Sequence, residues 1–192
     1  MSIHDLFEQH QRVVAASAAV LPELLQEAAD LVSNCLSSGH KVLACGNGGS
    51  AADAQHFAAE LLGRFSADRQ ALAAIALTTD SSSLTAIAND LDFGRVFSRQ
   101  VEALGRPGDI VLAISTSGTS ENVVHAARTA RARGCIVVAL TGMGGGELAD
   151  HADVLVAVPS TDVARVQEVH ALCLHAICGQ VESTLAQGGG LR

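Results

Sequence analysis

The side chains best suited to chemistry lie close together in one short segment, residues 45–61, which reads CGNGGSAADAQHFAAEL. His56 and Glu60 are four residues apart there, so a helix would place both on one face. An imidazole and a carboxylate on one face can bind a divalent metal ion or can act as acid and base on a bound substrate. The spacing alone leaves both possibilities open.

A second group of such residues lies near the C-terminus, in the segment VQEVHALCLHAICGQVE, residues 166–182. Gln167 and His175 are about two helical turns apart and broadly share a helix face. His175 stands in an apolar stretch, where a buried imidazole needs a partner. Together with His56 and Glu60, these residues could form a four-coordinate zinc site, or could act without a metal across a sugar.

Two loops rich in glycine and serine are candidates for binding a phosphate group. Residues 46–50, Gly-Asn-Gly-Gly-Ser, lack both the GxGxxG spacing and the lysine of a Walker A loop. Residues 115–120, Ser-Thr-Ser-Gly-Thr-Ser, precede a predicted helix that Ser120 could cap. Either loop alone is equally typical of an ordinary turn, but the pair favours a phosphate held by hydroxyls and a helix N-terminus. Lys41, the single lysine, is expected at the opposite end of the sheet.

The elements that must position these loops follow a regular alternation of strand, loop and helix. Predicted strands are the apolar runs KVLAC, ALAAIAL, DIVLAIS, CIVVALT and DVLVAV. We predict an α/β fold, a doubly wound five-stranded parallel sheet flanked by helices, in which ligands bind beyond the carboxyl ends of the strands. The predicted organisation is one domain over residues 1–192, with N-terminal helices in 1–40, the α/β core in 41–185 and a flexible tail in 186–192.

Composition narrows the class of partner and the cellular compartment. A net charge of −8, 3% aromatic residues and the absence of Trp and Tyr argue against direct binding of nucleic acid. We expect no membrane segment, because no apolar run approaches about 20 residues, and we expect a cytoplasmic location. The five cysteines form no CxxC pair and indicate reduced, buried thiols, Cys45 among them.

With these motifs in place, the chain resembles the SIS (sugar isomerase) family and, within it, the phosphoheptose isomerases. The resemblance extends from the N-terminal helices to about residue 185, and the segments that carry it besides residues 45–61 are LTAIAND, FSRQVEALGRPGD, ISTSGTSENV and RVQEVHALCLH. It implies a homotetramer with active sites at subunit interfaces. The implied reaction converts sedoheptulose 7-phosphate to D-glycero-D-manno-heptose 7-phosphate, a precursor for heptose and lipopolysaccharide-core synthesis.

The same resemblance assigns roles to individual residues. For the implied isomerisation, Glu60 is our choice for the base and His175 for its acid partner. A carboxylate that ligates a metal strongly is a poor free base, so metal binding and the base function compete at Glu60. One zinc ion per subunit would be bound by His56, Glu60, Gln167 and His175. The sugar phosphate would be contacted by Asn47, Gly48, Gly49, Ser50, Glu60, Asn89, Asp90, Ser115, Thr116, Ser117, Ser120 and Gln167. One departure is Ala164, which stands where some members carry an acid, although Asp162 is close by in sequence.

Two other functions fit the family. The DnaA initiator-associating protein is a related tetramer that regulates replication through a protein partner, and LTAIAND and GGELA resemble it. That group lacks the glutamate at position 60 and the second histidine at position 175, and this chain has both, which favours the enzyme. A regulator that senses sugar phosphates would need a partner domain, which the sequence does not show.

Overall fold

The computed structural model describes residues 2–187 and contains one five-stranded parallel sheet. The strand order is β2-β1-β3-β4-β5, and the strands are β1 Val42–Gly46, β2 Ala74–Ala76, β3 Ile110–Ser115, β4 Ile136–Thr141 and β5 Val154–Ala157. All four pairings are parallel, as predicted. The edge strand β2 is shorter than its predicted run of residues 71–77, because only three of its residues pair with β1.

Seven α-helices surround the sheet within the described residues. They are α1 Ile3–Ala18, α2 Pro22–Ser37, α3 Gly49–Leu62, α4 Ser81–Asp90, α5 Ser98–Leu104, α6 Glu121–Ala132 and α7 Val163–Gln187. Local sequence signals set the start of two helices. Ser2 and Asp5 form a capping box at the N-terminus of α1, and Pro22 is the first residue of α2. Helix α7 continues through Gln187, and the rest of the predicted tail, residues 188–192, lies outside the described residues.

Both faces of the sheet are covered by helices, which explains the continuous apolar runs of its strands. Val42 and Ala44 point into a cluster formed with α2, α3 and α7. Leu43 and Cys45, their neighbours along β1, point into a second cluster on the opposite face, formed with α5 and α6. The predicted doubly wound architecture is confirmed.

The chain changes direction across the sheet between β1 and β3. From β1 it proceeds through α3 to β2 on one side, and it later enters β3 on the other side. Gly46 at the end of β1 pairs with Ile114 near the end of β3, so the two exit loops are adjacent. Helices α3 and α6 leave these loops on opposite faces, which opens a crevice where ligands of such sheets bind.

Two groups with nucleophilic potential belong to the structural framework. Cys45 is fully buried, and burial raises the pKa of its thiol to about 12. Lys41 lies before β1, at the opposite edge from the exit loops, where its Nζ is 2.5 Å from Asp109 Oδ2. None of the helices in residues 2–187 is long and apolar enough to cross a membrane.

Candidate active site

The loop after β1 needs glycine for two separate reasons. Gly48 adopts a φ of +55° where the chain turns into α3, a conformation that other residues rarely adopt. A Cβ on Gly49 would lie 2.5 Å from Nε2 of Gln167, so the missing side chain lets α7 approach the loop. Ser50 is buried beneath the same turn. The structure therefore brings together five of the predicted substrate-binding residues: Asn47, Gly48, Gly49, Ser50 and Gln167.

A reciprocal pair of amides connects this loop to the start of α6. Asn47 Nδ2 donates to Asn122 Oδ1 at 2.8 Å, and Asn122 Nδ2 donates to Asn47 Oδ1 at 2.9 Å. Asn122 is buried, and sequence analysis did not single it out. Its position two residues after Ser120, in the first turn of the predicted helix, was the sequence feature that could have marked it as a site residue. The pair fixes the two strand-exit loops relative to each other across the crevice.

The hydroxyl-rich loop after β3 folds its serines toward one another. Ser115 Oγ donates to Ser120 Oγ at 3.0 Å and lies 3.5 Å from Ser117 Oγ. Ser120 is at the N-cap position of α6, as predicted, but its side chain forms no capping hydrogen bond. The hydroxyls are thus grouped at the N-terminus of a twelve-residue helix, whose dipole and free N–H groups favour an anion.

Thr116 and Gly118 anchor the same loop to the loop after β4. The Thr116 carbonyl accepts from Gly142 N at 2.9 Å, and the Gly118 carbonyl accepts from Leu148 N at 2.9 Å. Gly118 has a φ of +68°, and a Cβ there would lie 1.9 Å from the carbonyl oxygen of Gly145. The backbone of the serine loop is therefore packed tightly against the backbone of the loop after β4.

The predicted histidine and glutamate ligands converge at the interface between α3 and α7. His56 Nε2 lies 3.0 Å from Glu60 Oε1 and 3.3 Å from His175 Nε2. The three donor atoms all lie within 4.8 Å of one another. Ligands at 2.0–2.2 Å from a tetrahedral ion are about 3.3–3.6 Å apart. These two nitrogens and one oxygen are therefore close enough to hold a divalent metal ion after small side-chain shifts. Phe65 lies beside His175, with 5.5 Å between ring centroids.

Gln167, the fourth predicted ligand, occupies a different part of the same helix interface. Its amide lies against Gly49, seven residues before His56 and about 10 Å away along α3. In this conformation the Gln167 amide lies apart from the cluster of His56, Glu60 and His175. Its role as a metal ligand stays a prediction.

A carboxyl group that sequence analysis did not single out stands one turn before His56. Asp53 is partly buried, and its Oδ2 has no hydrogen-bond partner within the described residues. Burial raises the pKa of this carboxyl, while the charge of His56 acts in the opposite direction. On α3 the positions 49, 53, 56 and 60 form one stripe, so Asp53 shares a helix face with Gly49, His56 and Glu60.

The remaining predicted residues lie outside the two exit loops and the His56–Glu60–His175 cluster, at the end of α4 and at the start of α7. Asn89 and Asp90 are exposed at the end of α4, where Asn89 Nδ2 donates to Asp90 Oδ1 at 2.8 Å. Within residues 2–187, neither is hydrogen-bonded to the two exit loops. Ala164 is exposed in the first turn of α7, and Asp162 caps that helix by accepting from Ala164 N at 2.9 Å. Asp162 thus has a structural partner of its own.

Comparison with known proteins shows the family to which this chain belongs. The family model described as SIS domain matches residues 6–142. The phosphoheptose isomerase of Thiobacillus denitrificans is 52% identical to this chain, and the similarity covers 96% of the chain and 98% of that protein. A solved phosphoheptose isomerase from Neisseria gonorrhoeae has a TM-score of 0.90 at 49% identity, covering 94% of this chain and 97% of that one.

A second solved phosphoheptose isomerase, from Francisella tularensis, has a TM-score of 0.92 at 41% identity and covers 94% of this chain and 96% of that one. The family model ends before α7, whereas these full-length similarities include the helix that carries Gln167 and His175. The chain therefore belongs to the SIS domain family and, within it, to the phosphoheptose isomerases.

Proposed function

We propose that this protein is an aldose–ketose isomerase that converts sedoheptulose 7-phosphate to D-glycero-D-manno-heptose 7-phosphate. The observation that carries the proposal is the convergence of His56, Glu60 and His175 on one point between α3 and α7. The similarity to phosphoheptose isomerases along nearly the whole chain supports sedoheptulose 7-phosphate as the substrate. The serine loop at the N-terminus of α6 suits the phosphate, and the Asn47–Gly49 loop with Gln167 suits the sugar.

The reaction moves one proton between C1 and C2 of the sugar and another between the two neighbouring oxygens. Glu60 is suited to take the C1 proton and return it to C2 through Oε2, because Oε1 is the oxygen that lies in the cluster beside His56. His175 is suited to transfer the proton between O1 and O2, because its imidazole can both donate and accept. Both carry out proton transfers through an enediolate form of the substrate.

We propose zinc as the cofactor, one ion per subunit, held by His56, Glu60 and His175, with Gln167 as the further predicted ligand. When bound, the ion would stabilise negative charge on the sugar oxygens. Support comes from the donor set, since two imidazoles and a carboxylate are typical zinc ligands. Metal analysis of the purified protein would test the assignment.

We also propose a homotetramer whose active sites lie at subunit interfaces. His56 is 44% exposed in the single chain, so one side of the cluster is open to a neighbouring subunit. Ile3 and Phe7 on α1 are 77% and 66% exposed, as apolar interface residues would be in an isolated subunit. Size-exclusion chromatography with light scattering would give the mass directly.

We also propose a cellular location and a biosynthetic role for the reaction. A cytoplasmic location is supported by five buried cysteines, none of them in a disulfide. The heptose phosphate would feed bacterial heptose and lipopolysaccharide-core synthesis, so loss of the gene should deplete heptose from the core. We favour the enzyme over the initiator-associating alternative, because this chain has Glu60 and His175, which that group lacks, and both residues lie in one cluster.

Substitution of the base tests the proposed chemistry. Glu60→Gln keeps the size of the side chain but removes its basicity, so turnover should fall at least about 100-fold while the ketose phosphate still binds. Glu27→Gln, at an exposed position on α2, is the matched control and should retain wild-type turnover. Near-normal turnover by Glu60→Gln would remove Glu60 from this role.

A further inference from the structure

A buried ion pair joins α7 to the loop that follows α3. Glu182 on α7 is 3% exposed, and its Oε1 accepts from Nε of Arg69 at 2.8 Å. The Arg69 side chain is fully buried. Glu182 lies seven residues after His175, two helical turns along the same face of α7. The pair therefore belongs to the same helix interface as the His56–Glu60–His175 cluster.

The Glu182 carboxylate organises the loop of residues 63–69. It accepts from three backbone N–H groups, those of Phe65 at 2.9 Å, Ser66 at 3.0 Å and Ala67 at 2.9 Å, and from the Ser66 hydroxyl at 3.0 Å. With Arg69, five donors satisfy its two oxygens. The loop held in this way places the Phe65 ring beside the imidazole of His175.

The Arg69 guanidinium binds the end of α3 at Glu60 itself. Its Nη2 donates to the Glu60 carbonyl at 2.6 Å, and its Nη1 donates to the Leu61 carbonyl at 2.8 Å. Carbonyls in the last turn of a helix lack an intrahelical partner, so Arg69 completes the hydrogen bonding there. One side chain thus ties the peptide of Glu60 to a carboxylate on α7.

We propose that Arg69 and Glu182 are positioning residues that set the distance between Glu60 on α3 and His175 on α7. This inference rests on the proposed function, because it assigns a purpose to the geometry of that site. A buried ion pair contributes little to stability unless every polar atom is satisfied, and here its donors and acceptors connect the two helices that share the cluster. A misplacement of about 1 Å among such groups is enough to impair catalysis.

Substitution of Glu182 by glutamine tests the proposal with the purified full-length protein. The amide keeps the shape but presents an NH₂ group to the donors of the loop, which should release the Arg69–Glu60 connection. We expect the affinity for Co²⁺, used as a spectroscopic probe of the cluster, to fall at least about tenfold, and its visible absorption to change. The kcat for sedoheptulose 7-phosphate should fall at least about tenfold with KM changed less than about twofold, because the phosphate loop lies elsewhere.

Asp109→Asn is the matched control. Asp109 is also a buried carboxylate, 1% exposed, that accepts from a cation and from backbone N–H groups, those of Lys41 and Arg106, at the opposite edge of the sheet. Its loss should lower stability and leave the Co²⁺ affinity and spectrum unchanged. If Glu182→Gln does not fold, Arg69→Lys replaces it, since lysine keeps the charge but cannot bond Glu182 and both α3 carbonyls together.

Wild-type Co²⁺ affinity and spectrum in folded Glu182→Gln or Arg69→Lys would overturn the proposal. An equal loss in Asp109→Asn would also overturn it, because the effect would then be one of general stability. The proposed function fails separately, if wild-type protein forms no aldose. The Co²⁺ measurements would still decide whether the ion pair positions the cluster.

Discussion

Gly118 offers a quantitative test of how the serine loop is supported. Its φ of +68° costs an alanine about 1–2 kcal/mol in strain. An added Cβ would also lie 1.9 Å from the Gly145 carbonyl oxygen, so the two loops must separate. Separation would break the two backbone hydrogen bonds made by Thr116 and Gly118 with the loop after β4, at about 1 kcal/mol each. Gly118→Ala should therefore destabilise the protein by about 3–4 kcal/mol.

Gly39→Ala supplies the matched control for the strain alone. Gly39 has a φ of +80°, but nothing lies within 4 Å of an added Cβ, and it precedes β1 at the opposite edge of the sheet. It should lose only about 1–2 kcal/mol, measured by urea unfolding, and keep its activity. Gly118→Ala should in addition raise the KM for sedoheptulose 7-phosphate at least about fivefold as Ser115 and Ser117 are displaced. Equal destabilisation of the two variants, or an unchanged KM in Gly118→Ala, would refute the reasoning.

Two further predictions concern single polar groups. Ser115→Ala removes a hydroxyl from the proposed phosphate cradle and should weaken sedoheptulose 7-phosphate binding by about 1 kcal/mol, about fivefold in Kd by calorimetry; unchanged affinity would place the phosphate elsewhere. Burial alone would raise the pKa of Glu182, but the N–H groups of residues 65–67 and the Ser66 hydroxyl hold it at about 2. Because the folded pKa is lowered, the stabilisation is complete above the unfolded pKa of about 4.5 and is lost as the pH falls toward 2. Between pH 6 and pH 3 the wild type should lose about 2 kcal/mol of unfolding free energy that Glu182→Gln does not lose, and equal slopes would contradict the cause given for this shift.

The sequence predicts those parts of the site whose residues are close together along the chain, on one helix or at the end of one strand. His56 and Glu60 are neighbours on a helix, and the apolar runs of β1 and β3 place their exit loops at one edge of the sheet. The Asn47–Asn122 and Arg69–Glu182 pairs join residues 75 and 113 positions apart. Such contacts depend on how α3, α6 and α7 pack, which no local pattern specifies.

Two further side-chain positions could not be predicted from the sequence, because they also depend on tertiary packing. Gln167 shares a helix with His175, but only the close approach of α7 to Gly49 shows that its amide lies near the glycine loop. Ser120 occupies the predicted cap position, yet its hydroxyl accepts from Ser115 instead of capping α6, because the loop curls back on itself. Helix spacing is thus predictable, whereas the partner of each polar atom depends on tertiary packing.

The central claim is that this chain isomerises a heptose phosphate with the His56–Glu60–His175 cluster. The most direct test is to incubate the zinc-loaded protein with sedoheptulose 7-phosphate and to follow the aldose C1 proton by NMR, alongside metal analysis of the same preparation. We predict aldose heptose 7-phosphate in the zinc-loaded sample, little after chelation, and loss of both metal and rate in His175→Ala. A folded protein that binds the sugar phosphate but forms no aldose at any metal loading would contradict the claim.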